Sequence, residues 1–175
     1  HGYNSSNDGR LTEQERWTCL LDTYLGDEYR IIEEGLGGRT TVFDDPIFEG
    51  LSGLAYLFPC LMSHEPVDLL IIMLGTNDTK ERFRATPANI AKGLERLTQK
   101  AIDTTAAWRD KPNILLIANQ VTRTPLSLVR WAADVSKNPV HWPLCIQTRQ
   151  SVWDVTSWMP VPLKVSICIH MITCT

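Results

Sequence analysis

The sequence predicts an α/β fold of three layers, in which helices cover both faces of a parallel sheet. Residues 67–74 are nearly all apolar, as is typical of a strand that is buried on both faces. Residues 113–118 form a second apolar segment of strand length, and segments with apolar residues at helical spacing precede both. Alternating helices and strands of this kind build a sheet between two helical layers. The length of 175 residues suits one hydrophobic core.

The first predicted elements are a helix and a strand. Thr12 and Glu15 have the spacing of a capping box, which predicts that a helix starts there. Apolar residues at helical spacing continue it, namely Trp17, Leu20, Leu21 and Tyr24. Gly26 predicts its end. Residues 29–34 are partly β-branched and predict a strand that ends at the glycine-rich residues 35–38.

The later elements continue the alternation. Residues 48–61 are predicted to be helical, although Gly50 and Gly53 disfavour a helix. After the buried strand of residues 67–74, Thr86 and Pro87 suit the N-cap and first turn of another helix. Its buried face carries Ile90, Leu94, Leu97 and Ala101.

Composition argues against several classes of partner. The net charge of -3 and the pI of about 5.8 provide no basic surplus for a nucleic acid or an anionic membrane. No apolar run is long enough to span a bilayer, and no leader peptide is visible at His1, so the cytoplasm is the default location. Five cysteines without a C-x-x-C pair indicate neither a disulfide framework nor a zinc site. We expect no metal and no cofactor, and the oligomeric state leaves no pattern in the sequence.

The last third of the chain differs from the rest. All ten glycines lie between Gly2 and Gly93, whereas residues 119–175 contain none. This tail holds four of the six tryptophans and only two of the twenty acidic residues, Asp134 and Asp154. Its residues 165–172 predict a strand. We therefore divide the chain into a domain of residues 1–118 and a tail of residues 119–175.

Back-translation indicates a shifted reading frame in the tail. Tryptophan and methionine each have a single codon, ending in G, so some codons of the shifted frame are forced. In that frame Trp131-Ala132 and Trp153-Asp154 encode glycine, and Trp158-Met159 encodes aspartate. The residue types that the tail lacks thus reappear. This predicts a frame shift near residues 118–120 and a tail that is poorly ordered or mispacked.

Two loops carry the candidate chemistry, because both follow predicted parallel strands at the edge where such sheets bind ligands. In the loop of residues 75–80, the amide of Asn77 could donate to a developing oxyanion, and Asp78 could cap the next segment or bind a cation. A plain turn is the alternative. The loop of residues 35–41 contains glycines that let backbone N–H groups approach a substrate. A phosphate-binding loop is its alternative.

Together the two loops resemble those of the SGNH (GDSL-type) hydrolase family, and in particular its arylesterase-like branch. The family's Gly-x-Asn-Asp block is matched by Gly75, Asn77 and Asp78, and its small-x-Gly-x-Thr loop by residues 37–41. The resemblance runs from residue 1 to about 118. It implies a flavodoxin-like parallel sheet, incomplete here at both ends. It also implies an oxyanion hole formed by Gly38 and Asn77, with Thr76 and Asp78 binding substrate.

Two parts of the family pattern are missing. The Gly-Asp-Ser block that holds the nucleophile would precede His1, and no Asp-x-x-His pair occurs near the C-terminus. Ser52 lies in a predicted helix without the nucleophile-elbow pattern, and His64 is expected at the surface. The resemblance therefore implies a serine esterase or thioesterase that cleaves a small ester through a Ser-His-Asp triad. It also implies that the chain as printed is inactive.

Two other functions stay open at this point. A nucleotide-binding, flavodoxin-like module would use residues 35–41 for phosphate. A non-catalytic interaction domain would use the tryptophan-rich tail as an apolar docking face.

Overall fold

The computed structural model describes residues 2–4, 6–118, 146–147 and 165–171. The strands are β1 (Tyr3–Asn4), β2 (Gly9–Arg10), β3 (Tyr29–Glu33), β4 (Leu69–Met73), β5 (Ile114–Ala118), β6 (Ile146–Gln147) and β7 (Val165–Met171). The helices are α1 (Trp17–Leu25), α2 (Gly53–Ser63) and α3 (Pro87–Asp103). Short 3-10 turns lie at Gly26–Glu28, Asn77–Thr79, Glu81–Phe83 and Thr105–Ala107. No helix in these ranges is long and apolar enough to cross a membrane.

The main sheet has five parallel strands in the order β3-β7-β4-β5-β6. In register, Leu70 of β4 lies opposite Ile114 of β5. β1 and β2 form a separate antiparallel pair. The predicted α/β fold with a parallel sheet is confirmed.

The sheet lies between two helical layers, because β4 sends alternate side chains to opposite faces. Leu70 and Ile72 face α2 and α3 and belong to the main core, whereas Ile71 packs with residues of α1. The other buried residues of the main core are Leu57, Cys60, Leu61, Val67, Leu74, Leu94, Leu97, Ala101, Ala107, Trp108, Ile114 and Leu116. The helices α2 and α3 therefore cover one face, and α1 covers the other.

The strand β7 comes from the tail but lies in the middle of the sheet, between β3 and β4. In the flavodoxin-like order 2-1-3-4-5, that position belongs to the first strand. The pattern of residues 165–172 predicts a strand but not its neighbours, because pairing depends on contacts far apart in sequence. The rest of residues 119–175 lies outside the described residues apart from β6. The predicted frame shift and poor order of the tail therefore stay predictions.

The helix α1 begins later than the capping box predicts. The carboxylate of Glu15 accepts from the Thr12 N–H at 2.9 Å, as the motif requires. The amides of Glu15 and Arg16, however, both bond to the Thr12 carbonyl, at 3.1 and 3.0 Å. These bonds close a turn, and the helix itself runs from Trp17. Gly26 ends it with a φ of 71°, as predicted.

The helix α2 also begins later than predicted, at Gly53 rather than at residue 48. Gly50 has a φ of 74°, which is outside the helical region. Ser52 is the N-cap, and its Oγ accepts from the Ala55 N–H at 3.5 Å. Ser52 thus precedes the helix in which the sequence analysis placed it.

The start of α3 agrees with the prediction. Thr86 and Asn89 form a reciprocal capping box, with Pro87 in the first turn.

An ion pair joins α1 to β3. Arg16 donates from Nε and Nη2 to the two carboxylate oxygens of Glu33, at 3.0 and 2.9 Å. The Thr18 hydroxyl also donates to Glu33. The hydrogen bonds from Arg16 are the main reason why the pKa of Glu33 falls from 4.5 to about 2. A carboxyl with a lowered pKa stabilises the folded state above its unfolded pKa.

We expect Glu33→Gln to lower the free energy of unfolding at pH 7 by on the order of 3 kcal/mol. The loss should shrink as the pH falls from about 4.5 to about 2, because Glu33 becomes protonated in that window. Urea unfolding at pH 7 and pH 3 measures both effects. Glu13→Gln is the matched control, because Glu13 lies 3.9 Å from the same arginine but is 78% exposed. Equal losses in the two variants at pH 7 would contradict the prediction.

Candidate functional site

The two predicted loops follow neighbouring parts of the sheet. Residues 35–41 follow β3, and residues 75–80 follow β4, each at the carboxyl end of its strand. In open parallel sheets this edge is where ligands bind. The structure joins the two loops through Asn77 and Asp78, both of which are buried.

The side chain of Asn77 is directed at the first loop. Its Nδ2 donates to the backbone carbonyl of Arg39 at 3.1 Å, and the residue is only 3% exposed. A side-chain amide has two N–H groups, so one remains after this bond. The bond places the amide beside the residue that follows Gly38, as an oxyanion hole made by Gly38 and Asn77 requires.

Gly38 holds a left-handed backbone conformation in this loop, with a φ of 85°. A Cβ at this position would also lie 3.1 Å from a methyl group of Leu51. Both facts favour glycine. Within the described residues, no group accepts a hydrogen bond from the Gly38 N–H. This N–H therefore fits the role of a donor to substrate.

Asp78 has a different role from the predicted one in substrate binding. It is fully buried, and its two carboxylate oxygens accept from the Thr41 N–H at 3.0 and 3.1 Å. The Thr41 hydroxyl also donates to it. Burial raises the pKa of Asp78, and the bonds from Thr41 oppose that rise. The carboxylate fixes one loop to the other and is not exposed to a ligand.

The first loop is also fixed to the start of α2. The Thr40 N–H bonds to the Leu51 carbonyl at 2.9 Å, and the Gly53 N–H bonds to the Thr40 carbonyl at 3.1 Å. A Cβ on Gly53 would lie 2.7 Å from that carbonyl, so only glycine fits here. Thr76, the other residue predicted to bind substrate, is half-buried at the start of the second loop.

Arg39 is a buried cation that the sequence analysis missed. It is 4% exposed, and its guanidinium carbon lies 4.0 Å from the centroid of the Tyr56 ring. Among the described residues, its Nε and Nη1 have no hydrogen-bond partner. Burial lowers the pKa of Arg39. In the sequence, Arg39 is a single arginine in a glycine-rich loop. That pattern does not distinguish a buried arginine from an exposed one.

His64 belongs to a cluster and is not at the free surface. Its Nε2 lies 2.6 Å from Oε1 of Glu34, and the side chain is 26% exposed. The Tyr56 hydroxyl donates to the other carboxylate oxygen of Glu34 at 2.6 Å. Four residues of the chain, Glu34, Arg39, Tyr56 and His64, thus form a network beside the first loop.

Three serines of residues 6–118, Ser6, Ser52 and Ser63, make hydrogen bonds away from a histidine. Ser52 caps α2, and the hydroxyls of Ser6 and Ser63 donate to Asn4 and to the Pro59 carbonyl. Within this part of the chain, no serine hydroxyl bonds to His64. Among residues 6–118, the structure therefore brings the two loops together without a serine–histidine hydrogen bond beside them.

Solved esterases share this fold. An aryl esterase from M. smegmatis, in an inhibitor-bound form, is 42% identical with a TM-score of 0.60, over 63% of this chain and 53% of that chain. A carbohydrate acetylesterase from Sinorhizobium meliloti is 43% identical with a TM-score of 0.57, over 63% of this chain and 52% of that one. A carbohydrate acetylesterase family member from the same organism is 29% identical with a TM-score of 0.67, over 78% and 73%. No protein-family model and no curated protein matches.

In its fold and its two loops, the chain is similar to esterases of the SGNH hydrolase type. The resemblance of the two loops to the arylesterase-like branch is thereby confirmed. The similar proteins are carboxylic ester hydrolases. The chain spans about half the length of the M. smegmatis aryl esterase and of the first S. meliloti enzyme. The tryptophan-rich tail, on which the interaction-domain alternative depends, lies largely outside the described residues.

Proposed function

We propose that the whole protein hydrolyses small carboxylic esters or thioesters by acyl transfer to water. The observation that carries this proposal is the bond from Asn77 Nδ2 to the Arg39 carbonyl, which sets a buried amide against the loop that contains Gly38. The similarity to a solved aryl esterase and a solved carbohydrate acetylesterase supports it. No cofactor takes part in this chemistry.

The proposed reaction uses a Ser-His-Asp triad. A serine hydroxyl attacks the acyl carbon, a histidine accepts its proton, and an aspartate orients the histidine. The carbonyl oxygen becomes an oxyanion, which the Gly38 N–H and the second N–H of Asn77 hold. The oxyanion then collapses and expels the alcohol or thiol, which takes the proton from the histidine. Water attacks the acyl-enzyme, and the histidine accepts a proton from this water. The histidine returns that proton to the serine oxygen as the acid leaves. The buried carboxylate of Asp78 keeps the two donors together. Asp78 follows Asn77 in the chain, and it accepts a hydrogen bond from Thr41, which lies in the same loop as Gly38.

We also propose that the nucleophile and the acid–base pair are absent from the chain as printed. The contacts of Ser6, Ser52 and Ser63 support this proposal, since none of the three bonds to His64. The sheet supports it too, because the position between β3 and β4 belongs to the first strand of the flavodoxin-like order and is held by β7. Sequencing the gene with ~100 bases on either side would reveal the reading frame.

We expect the purified chain to be inactive toward p-nitrophenyl acetate. Neither turnover above the buffer rate nor a burst of p-nitrophenol should appear, because no activated serine is available to form an acyl-enzyme. Stopped-flow absorbance measures both. A burst that titrates with the concentration of the chain would contradict the inactivity. If the protein translated from an uninterrupted reading frame is active and the present chain is inactive, both proposals are supported.

A nucleotide-binding function has less support. The loop of residues 35–41 has its N–H groups partly committed, since the Arg39 N–H bonds to the Leu36 carbonyl and the Thr41 N–H to Asp78. Such groups are not free to hold a phosphate.

A further inference from the structure

A second cluster with ligand chemistry lies next to the loop of residues 35–41. It contains the carboxylate of Glu34, the thiol of Cys60 and the imidazole of His64. One ligand atom from each residue lies within 4.8 Å of the other two. Ester hydrolysis, as proposed above, uses none of these three groups.

The helix α2 brings two of the three ligands together. Cys60 and His64 are four residues apart at the C-terminal end of α2, so they share one side of the helix. This end of a helix carries a partial negative charge, which favours a cation. Glu34 approaches from the end of β3. Cys60 is 3% exposed, while the side chains of Glu34 and His64 are 18% and 26% exposed, so an ion can enter from the side of the last two.

The donor set is that of a thiophilic divalent metal. A thiolate, an imidazole and a carboxylate are zinc ligands, and three protein ligands leave a fourth position for water. Zinc binds such atoms at about 2.0 to 2.3 Å, which places tetrahedral ligand atoms roughly 3.3 to 3.6 Å apart. His64 Nε2 and Glu34 Oε1, now 2.6 Å apart, would have to separate by about 1 Å. Ligand atoms at the 4.8 Å limit would have to approach by about 1 Å. The metal would take the place of the hydrogen bond between His64 Nε2 and Glu34 Oε1, which are 2.6 Å apart. The thiolate and carboxylate together balance its two positive charges.

The surroundings fit such a site. Tyr56 lies one further turn back on the same side of α2, and its hydroxyl donates to Glu34 Oε2 at 2.6 Å. A hydrogen bond of this kind orients a metal-binding carboxylate. The guanidinium of Arg39 lies over the Tyr56 ring, 4.0 Å from its centroid, and its positive charge opposes a cation here.

We propose that Glu34, Cys60 and His64 form a zinc-binding site that joins the end of β3 to the end of α2. The proposal is independent of the ester chemistry. It departs from the expectation of no metal, which rested on the lack of a C-x-x-C pair. That pattern does not include a cysteine and a histidine four residues apart.

Titration of the metal-free chain with Zn²⁺, followed by calorimetry, tests the site. We expect one ion per chain, and at least about a tenfold loss of affinity in Glu34→Gln, Cys60→Ser and His64→Gln. Tyr56→Phe should weaken binding less than these do. Cys19→Ser and Glu49→Gln are matched controls outside the cluster and should bind as the unchanged chain does. Equal affinity in the cluster variants and the controls would overturn the proposal.

Absorption by bound Co²⁺ tests directly whether the Cys60 thiolate binds the metal. It leaves Glu34, Cys60 and His64 unchanged. Replacing Cys19, Cys145, Cys168 and Cys174 by serine leaves Cys60 as the single thiol. With Co²⁺ this chain should show a thiolate-to-cobalt charge-transfer band, and adding Zn²⁺ should abolish the band. The absence of that band would overturn the proposal.

Discussion

Replacing Asn77 by alanine in the protein from an uninterrupted frame is expected to lower kcat for p-nitrophenyl acetate by roughly 100- to 1000-fold. The loss corresponds to about 2.7 to 4 kcal/mol of transition-state stabilisation, the usual effect of removing one oxyanion donor. KM should change little, because the oxyanion forms only as the nucleophile attacks. Steady-state kinetics with both constants determined would measure the effect.

Asn113→Ala is the matched control for this substitution. Its Nδ2 donates to the Asp68 carbonyl at 3.2 Å, so it also loses a bond from a side-chain amide to the backbone. The control should retain kcat. If both variants lose activity equally, Asn77 supports the fold rather than the transition state. If the unchanged protein is active and neither variant loses activity, the result contradicts the proposed oxyanion hole but not the proposed ester hydrolysis.

Replacing Asp78 by alanine is expected to lower the free energy of unfolding by about 3 kcal/mol. The reason is that the Thr41 N–H and hydroxyl would lose a charged acceptor at a buried position that water does not reach. Urea unfolding of the purified chain measures the loss. The exposed Asp110→Ala is the control and should stay within about 0.5 kcal/mol of the unchanged chain.

Asp78→Asn separates the charge from the shape of the side chain. Because burial raises the pKa of Asp78, the folded state binds its proton more readily than the unfolded state does. The contribution of this carboxyl to stability therefore falls as the pH rises. We expect the cost of Asp78→Asn to be smaller at pH 7 than at pH 4. A cost that grows with pH would contradict the assigned direction of the shift.

Predictions that depend on nearby residues agree with the structure. Thr86, Pro87 and Asn89 begin α3 through bonds that span three residues. Gly26 ends α1 with a positive φ that other residues rarely adopt. Residues 67–74 are apolar enough to predict β4 as a strand buried on both faces. In each case the decisive energies are local, so the pattern of the sequence contains them.

Predictions failed where distant residues decide. The start of α2 moves to Gly53 because the Thr40 and Thr41 carbonyls, a dozen residues earlier, accept from the first amides of that helix. Asp78 appears in the sequence as a possible cap or ligand, but Thr41, 37 residues away, occupies its carboxylate. His64 was expected at the surface and instead contacts Glu34, 30 residues away.

The sequence by itself determined the α/β class, the order of the elements and the family, because apolar period, caps and loop motifs are all short-range features. The tertiary structure alone decided which loop groups meet, where β7 pairs and which side chains surround Glu34. Hydrogen bonds between residues 30 to 40 apart depend on the packing of helices on the sheet, and that packing is not encoded at any single position.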